Sequence, residues 1–349
     1  MKLLSIIVPF HNSALKCTRL LKSLSECDSQ EVELIFVDDG STDNTLEVLG
    51  SFKSSAQCAV LVLSQENKGP GGARNAGLEA AEGRYVWFVD SDDDVRLKLA
   101  LDVLYSYLDK DLDFIDFNLE SRGRVVNSML AQPGVYSDEQ DVTLLLAKKW
   151  GRLWSKIFHR RVFINSGARY PEFCIYEDNP LLFILPFCVR SFVKSEQCVY
   201  LHNEDHESVT RGKRSDRYFD RMKTAFGGYR VGSGMNKRSD IAAIMIGHYT
   251  RLYVVNTGKI TRLPSSFWLE KMRVIRQFRS DTKKLGIEIS LRDALLQMPN
   301  ASFKGKLVFS FLYMCARAMP SQESFFRKKR YAAWGKPFKM PSLSVTLCK

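Results

Sequence analysis

None of the eight cysteines in this chain of 349 residues stands in a CxxC or other paired spacing. Neither a zinc site nor a disulfide framework is expected, and the pattern reads as ordinary buried thiols in a reducing compartment. No run approaches the roughly 20 apolar residues that span a bilayer. Near the N-terminus, Leu3-Leu4-Ser5-Ile6-Ile7-Val8 stops at Pro9, with no small-residue cleavage site after it. A buried strand is expected there rather than an export signal. There is no internal repeat and no Gly/Ser-rich linker. Hydrophobic residues make up 45% of the chain, which excludes a disordered or fibrous protein and supports one sizeable core plus a smaller second unit.

Acidic residues are scarce in one half only. The net charge of +12 comes from residues 211–238, which carry +7, and 317–339, which carry +6; the rest carries −1. Such patches suit an anionic partner or a solvated helix face. The chain has no docking motif for nucleic acid, so no nucleic-acid partner is expected.

The first 120 residues alternate short apolar runs with amphipathic ones. Leu3–Val8, Val32–Val37, Ala59–Leu63, Tyr85–Val89 and Asp113–Phe117 read as strands, the first four fully buried. Cys17, Leu20, Leu21 and Leu24 share one helical face, and Thr42–Phe52, Ala73–Ala81 and Val95–Leu108 also suit helices. Alternating β and α elements predict an α/β fold with a parallel sheet, whose ligands bind beyond the carboxyl ends of the strands. Residues 138–210 read as helices broken by loops. From Arg211 onward the pattern is mostly helical, with Met222–Tyr229, Ile241–Val255, Phe267–Leu285 and Phe303–Met319 as candidates.

Four constellations carry chemistry. Asp38-Asp39-Gly40-Ser41-Thr42-Asp43 follows the second strand. Adjacent carboxylates there need partners, and a nucleoside's hydroxyls and N–H groups would supply them; a polar turn capping the next helix is the alternative. Asp90-Ser91-Asp92-Asp93-Asp94 follows the fourth strand, four carboxylates in five residues. That density calls for a hard cation, magnesium or manganese, bound with substrate phosphates. An acidic loop, or a helix N-terminus whose dipole the acids complement, would account for Asp93 and Asp94 but not for Asp90 at the end of a buried strand. Asn67-Lys68-Gly69-Pro70-Gly71-Gly72-Ala73-Arg74 leads into a helix, where glycines would let an anion approach backbone N–H groups or merely ease the helix start. Glu177-Asp178 precedes Pro180, and the pair either caps a helix or supplies a general base.

In order and separation, Ser5-Ile6-Ile7-Val8-Pro9-Phe10-His11-Asn12, Val37–Asp43, Asn67-x-Gly69 with Ala73-Arg74-Asn75-x-Gly77, and Asp90-Ser91-Asp92-Asp93 resemble the family 2 inverting glycosyltransferases of GT-A fold. Leu153–Phe158, Glu177-Asp178, Tyr200-x-His202 and Ser208-Val209-Thr210 resemble that family's bacterial surface-polysaccharide members. The resemblance implies a GT-A catalytic domain over 1–210, nucleotide-binding over 1–120 and acceptor-binding over 121–210, followed by a basic, mostly helical region at 211–349. It implies that Pro9 and Asp39, with Asp38 nearby, hold the nucleoside base, and that Arg74 reaches base or phosphate. Asp90 and Ser91 would face the donor, Asp92 with Asp90 would hold the metal, and His202 would lie near the diphosphate or be structural. Asp178 would be the catalytic base, supported by Glu177.

The implied partners are a nucleotide-sugar donor, a UDP-sugar, and a glycan acceptor that can be lipid-linked. The implied setting is the cytoplasm, with peripheral association at the inner face of the membrane. For that association, residues 303–339 read either as a membrane-surface segment or as a buried packing helix. A binding protein that kept the fold without catalysis is the alternative function. A processive synthase would need a membrane channel and a QxxRW-type segment, and a nucleotidyltransferase a GTRL-like signature; the sequence has none of these.

Overall fold

The computed structural model describes residues 2–203, 217–236, 238–261, 268–297 and 303–318. The expectations placed on Ser208–Thr210, on the basic residues 211–216 and on everything beyond Ala318 lie outside the described residues. The chain divides into two compact units near residue 212.

In the first unit, strands β1 (Leu4–Phe10), β2 (Val32–Asp39), β3 (Ala59–Gln65), β4 (Tyr85–Phe88), β5 (Asp94–Val95) and β6 (Phe114–Ser121) alternate with helices α1 (Thr18–Ser25), α2 (Thr45–Ser55), α3 (Gly69–Ala80) and α4 (Leu97–Ser106). There follow β7 (Arg124–Val126), β8 (Gly134–Tyr136), α5 (Glu139–Lys148), β9 (Lys156–His159), α6 (Arg161–Ser166), α7 (Leu181–Ile184) and β10 (Phe192–His202). All ten strands form one sheet, in order β3-β2-β1-β4-β9-β6-β10-β5, with β7 on β6 and β8 on β10.

The sequence expectation of an α/β sheet holds, with two corrections. β3, expected to be buried, is an edge strand, and its residues alternate between exposed and half-buried. Residues 138–210, read as helices and loops, contribute β9 and β10, and β9 runs antiparallel between β4 and β6. The sheet is therefore mixed, not parallel. β10 escapes a period-2 reading because its register shifts twice between Lys194 and Tyr200, against β6, which interrupts the alternation of faces.

The core is built on the inner strands. Ile6, Val8, Leu34, Phe36 and Trp87 are completely buried or nearly so, and the Trp87 indole donates to the Trp154 carbonyl at 2.8 Å. Cys17, Cys27, Cys58 and Cys174 are buried free thiols.

The second unit is helical: α8 (Arg217–Met235), α9 (Ser239–Thr261), α10 (Trp268–Lys284), α11 (Leu291–Leu296) and α12 (Phe303–Ala318). The rings of Tyr249, Tyr253 and Phe278 pack at tilted angles, with centroids 4.6–6.3 Å apart. The Tyr253 hydroxyl meets the buried Asp281 carboxylate.

Candidate functional site

The site lies at the carboxyl ends of β1, β2 and β4, within the first unit. Parallel register sets Phe10 beside Asp38, and Asp39 beside Gln65. The tips are then laced by side chains: His11 Nδ1 lies 2.9 Å from the Asp39 carbonyl, and Asn12 Oδ1 accepts from Thr42 N–H at 2.8 Å. Asn12 has φ +49°, a left-handed conformation that Asn tolerates better than most residues.

Asp38 and Asp39 are both buried. Asp39 Oδ1 accepts from Gln65 Nε2 at 2.7 Å and from Lys68 N–H at 2.8 Å. Asp38 Oδ2 accepts from Ser41 N–H, whereas its Oδ1 has no partner. The sequence reading aimed Asp39 at the base and set Asp38 nearby; in the structure the carboxylate oxygen lacking a donor is on Asp38.

Beyond β4, Asp93 N–H returns to the Asp90 carbonyl at 3.2 Å, closing a turn over Asp90-Ser91-Asp92-Asp93. Ser91 Oγ lies 3.2 Å from Ser13 Oγ. Asp93 is buried; it accepts from the Tyr200 hydroxyl at 2.6 Å and from Asn203 N–H at 2.8 Å, with His202 Nδ1 at 3.1 Å. The same Tyr200 hydroxyl accepts from Asp90 N–H at 3.1 Å. Asp93 is thus a tether between the acidic turn and the end of β10. Asp94 accepts from Ser23 and from Val95 N–H. The helix-dipole reading of both residues is corrected: their partners are side chains and strand backbone, and α4 starts only at Leu97.

Burial first, then the neighbouring Asp90 and Asp93, push the Asp92 carboxyl up to about 6. A turn so crowded with negative charge gains from a cation. Among the described residues no three His, Cys, Asp or Glu side chains gather into a ready metal cage. Asp92, crowded by Asp90 and Asp93 and unable with them to enclose an ion, fits magnesium or manganese, which complete their shells with water and phosphate oxygens.

Arg74 joins the two halves of the site. Its guanidinium holds Asp90 at 2.6 Å and Glu177 at 2.5 Å, with the Tyr170 ring 5.4 Å from its carbon. The sequence reading sent Arg74 to the base or phosphate; here two carboxylates occupy it. Burial opposes its charge, but Asp90 and Glu177 outweigh that and hold it protonated. Burial raises Glu177, which Arg74 opposes and Asp178 reinforces.

The Gly69–Gly72 run packs chain against chain. A Cβ on Gly71 would sit 2.1 Å from the Pro171 carbonyl oxygen, so the loop carrying Glu177 and the half-buried Asp178 lies directly on α3. Asn75 fixes that contact through paired hydrogen bonds with the Tyr170 backbone, at 2.8 and 2.9 Å. The space assigned to an anion at Gly71 is therefore filled by protein. Phe173 and Tyr176 in this loop have φ +57° and +63°, an uncommon conformation of the kind stored near functional sites. Asn75, Tyr170 and Tyr200 were given no role in the sequence reading, and Asp93 was not given its tether, because their partners lie 95 to 110 residues away.

The family model for glycosyl transferase family 2 matches residues 5–182. The chain is 27% identical over 218 residues to the uncharacterized glycosyltransferase YibD of Escherichia coli K12, covering 60% of this chain and 63% of that protein. It is 44% identical over 91 residues to the poly(ribitol-phosphate) beta-N-acetylglucosaminyltransferase TarS of Staphylococcus aureus, covering 26% of this chain and 16% of TarS. The match thus spans less than two thirds of either relative's length. Among solved structures, TarS 1–349 in complex with UDP-GlcNAc superposes with TM-score 0.65 at 20% identity, over 91% of this chain and 92% of that one. The mannosyltransferase PcManGT of Pyrobaculum calidifontis, in complex with GDP-Man and Mn2+, superposes with TM-score 0.51 at 16% identity, over 90% and 85%.

Proposed function

The chain belongs to glycosyl transferase family 2, and from that premise we propose that it moves one sugar from a UDP-sugar onto a hydroxyl of a glycan acceptor, with inversion at the anomeric carbon. Its fold is GT-A, as the resemblance implied. A hexosyl or N-acetylhexosaminyl donor is proposed; the structural neighbour solved with UDP-GlcNAc supports that choice. Assembly of a capsular, exo- or lipopolysaccharide is the proposed setting.

One observation carries the reading. Arg74 ties Asp90, at the end of β4, to Glu177, beside Asp178. Residues 103 apart in sequence thereby set the acidic turn next to a carboxylate pair. Donor and acceptor chemistry need those two groups side by side.

The buried Asp38–Asp39 pair faces the nucleoside, with Asp38 Oδ1 awaiting a donor. Pro9, next to last in β1, would contact the base beside them. Asp178 takes the proton from the attacking acceptor hydroxyl, and Glu177 keeps its loop in place through Arg74. Asp92 and Asp90 would hold a divalent cation, which neutralises charge gathering on the departing diphosphate. His202 and Tyr200 fix that turn through Asp93. A single displacement on an α-linked donor gives a β-glycoside.

The test is Asp178→Asn, followed by UDP release with an acceptor present and by UDP binding without it. Release should vanish while binding stays within about twofold, since a base acts on the acceptor rather than the donor. Turnover near the wild-type rate would move the base elsewhere, with Glu177 next in line. A wild-type protein that binds UDP-sugar and releases no UDP with any acceptor would favour the binding-only alternative.

A further inference from the structure

Tyr170 lies inside the site with an idle hydroxyl. Among the described residues its buried phenol oxygen has no hydrogen-bond partner, and the whole residue is only 2% exposed. A buried hydroxyl left so costs free energy, and one that persists calls for a partner from outside the chain. The backbone of Tyr170 is fixed on α3 by its paired bonds with Asn75. From there the ring reaches β4, where it meets the Phe88 ring edge-on at 5.2 Å, with the Arg74 guanidinium carbon 5.4 Å from its centre. Burial raises the phenol far above the usual tyrosine range; Arg74 opposes this, while Glu177, Asp178 and Asp90 add to it. The group is thus a neutral hydroxyl, close to the charges that sugar transfer would use.

Those charges select its partner. The Asp90 and Glu177 carboxylates are turned to Arg74, so neither accepts from the phenol. An anionic group placed here would face Glu177 and Asp178, and a cation would meet Arg74. A neutral hydroxyl, donor and acceptor at once, pairs with the phenol without either penalty. A sugar carries such groups. Tyr170 packs on Phe88, two residues before Asp90, on the side where the acidic turn would receive the donor.

We propose that the Tyr170 hydroxyl hydrogen-bonds a hydroxyl of the transferred sugar and helps to decide which UDP-sugar is accepted. This role rests on the sugar-transfer reading above. Entry of the sugar displaces part of the 171–178 loop, where Phe173 and Tyr176 already hold φ +57° and +63°, strain of the kind found at ligand clamps.

The test is calorimetry of wild type and Tyr170→Phe with UDP, UDP-GlcNAc, UDP-glucose and UDP-galactose, manganese present. The variant should bind UDP within about twofold of wild type. It should bind the UDP-sugar that wild type prefers on the order of tenfold more weakly, with a flatter preference among the three sugars. Its melting temperature should not fall, because no bond within the protein is lost. Equal weakening for UDP and UDP-sugar would overturn the proposal, since the ring would then act only through Arg74. So would a lowered melting temperature with unchanged affinities, the mark of a hydroxyl that holds a buried water. Unchanged UDP-sugar affinity with a raised acceptor KM would overturn it too, and give the hydroxyl to the acceptor. A wild type that bound none of the four compounds would remove the sugar-transfer reading and this role with it; the other outcomes leave that reading standing.

Discussion

Arg74 sits where replacement costs most. Its side chain is 10% exposed and neutralises two carboxylates at once. Arg74→Ala would leave Asp90 and Glu177 facing each other without a cation. A loss of about 3–5 kcal/mol is expected, the range for breaking a buried ion pair from one side, read as a lowered melting temperature. Arg74→Lys keeps the charge but gives up the planar fork that spans two partners. The folded protein should survive that change while turnover falls on the order of 100-fold, because the acidic turn and the loop of Glu177 and Asp178 lose their common clamp. Near wild-type turnover in Arg74→Lys would mean that charge alone suffices at this position.

Among elements, the contact between α3 and the Tyr170–Asp178 loop decides whether the site is assembled. Gly71→Ala places a methyl where the Pro171 carbonyl oxygen stands, so the loop must move. Activity should drop at least tenfold, with donor binding changed little, since Asp38, Asp39 and the acidic turn lie on other elements. Comparing turnover with UDP affinity in this variant separates the two effects. Tyr200→Phe removes the hydroxyl that joins Asp93 to Asp90 N–H. It should cost about 1–3 kcal/mol, the range for leaving a buried group unsatisfied, and weaken donor binding in a calorimetric titration.

The motifs around Asp38, Arg74, Asp90 and Asp178 were legible because each follows a strand or opens a helix with a local signature. β1 to β4 were legible for the same reason, as apolar runs bounded by Gly, Pro and polar residues. β9 and β10 were not. Lys156–His159 begins with a lysine whose ammonium is buried against Asp116 at 2.6 Å, so its charge disguised a central strand. Lys194-Ser195-Glu196-Gln197 put polar residues into β10 where the register shifts against β6. The burial of β3 was misjudged because composition does not reveal which strand of a sheet lies at the edge. The tether of Asp93 to Tyr200, His202 and Asn203 depends on pairings across the finished sheet, which no local pattern encodes.

Over the whole molecule, stability against acid depends on groups that titrate in opposite directions. His159 Nδ1 accepts from Arg161 N–H at 3.1 Å, an arrangement that needs the ring neutral. Burial first, then Arg161, lower its pKa to about 4, against the pull of Asp111. An unfolded chain therefore takes up a proton on this histidine below about 6.5 that the folded chain refuses down to about 4. Its contribution to stability is present above pH 6.5 and is lost as the pH falls toward 4. Asp92, raised to about 6, works the other way over an overlapping range, so the wild-type curve alone does not isolate either group. The difference between wild type and His159→Asn does. Relative to wild type the variant should gain as the pH drops from 7.5 to 5, by no more than about 1.4 kcal/mol per pH unit. A difference independent of pH would mean that the ring titrates normally in the folded protein.

Asp90 and Asp92 are proposed to help this molecule bind a nucleoside diphosphate through a shared cation. Calorimetric titration of the intact protein with UDP, GDP, ADP and CMP, each with and without manganese, tests it most directly. Manganese-dependent binding of UDP, abolished in Asp92→Asn and absent for CMP, is the expected result. Binding of none of the four nucleotides, or equal binding of UDP in the presence of chelator, would contradict it.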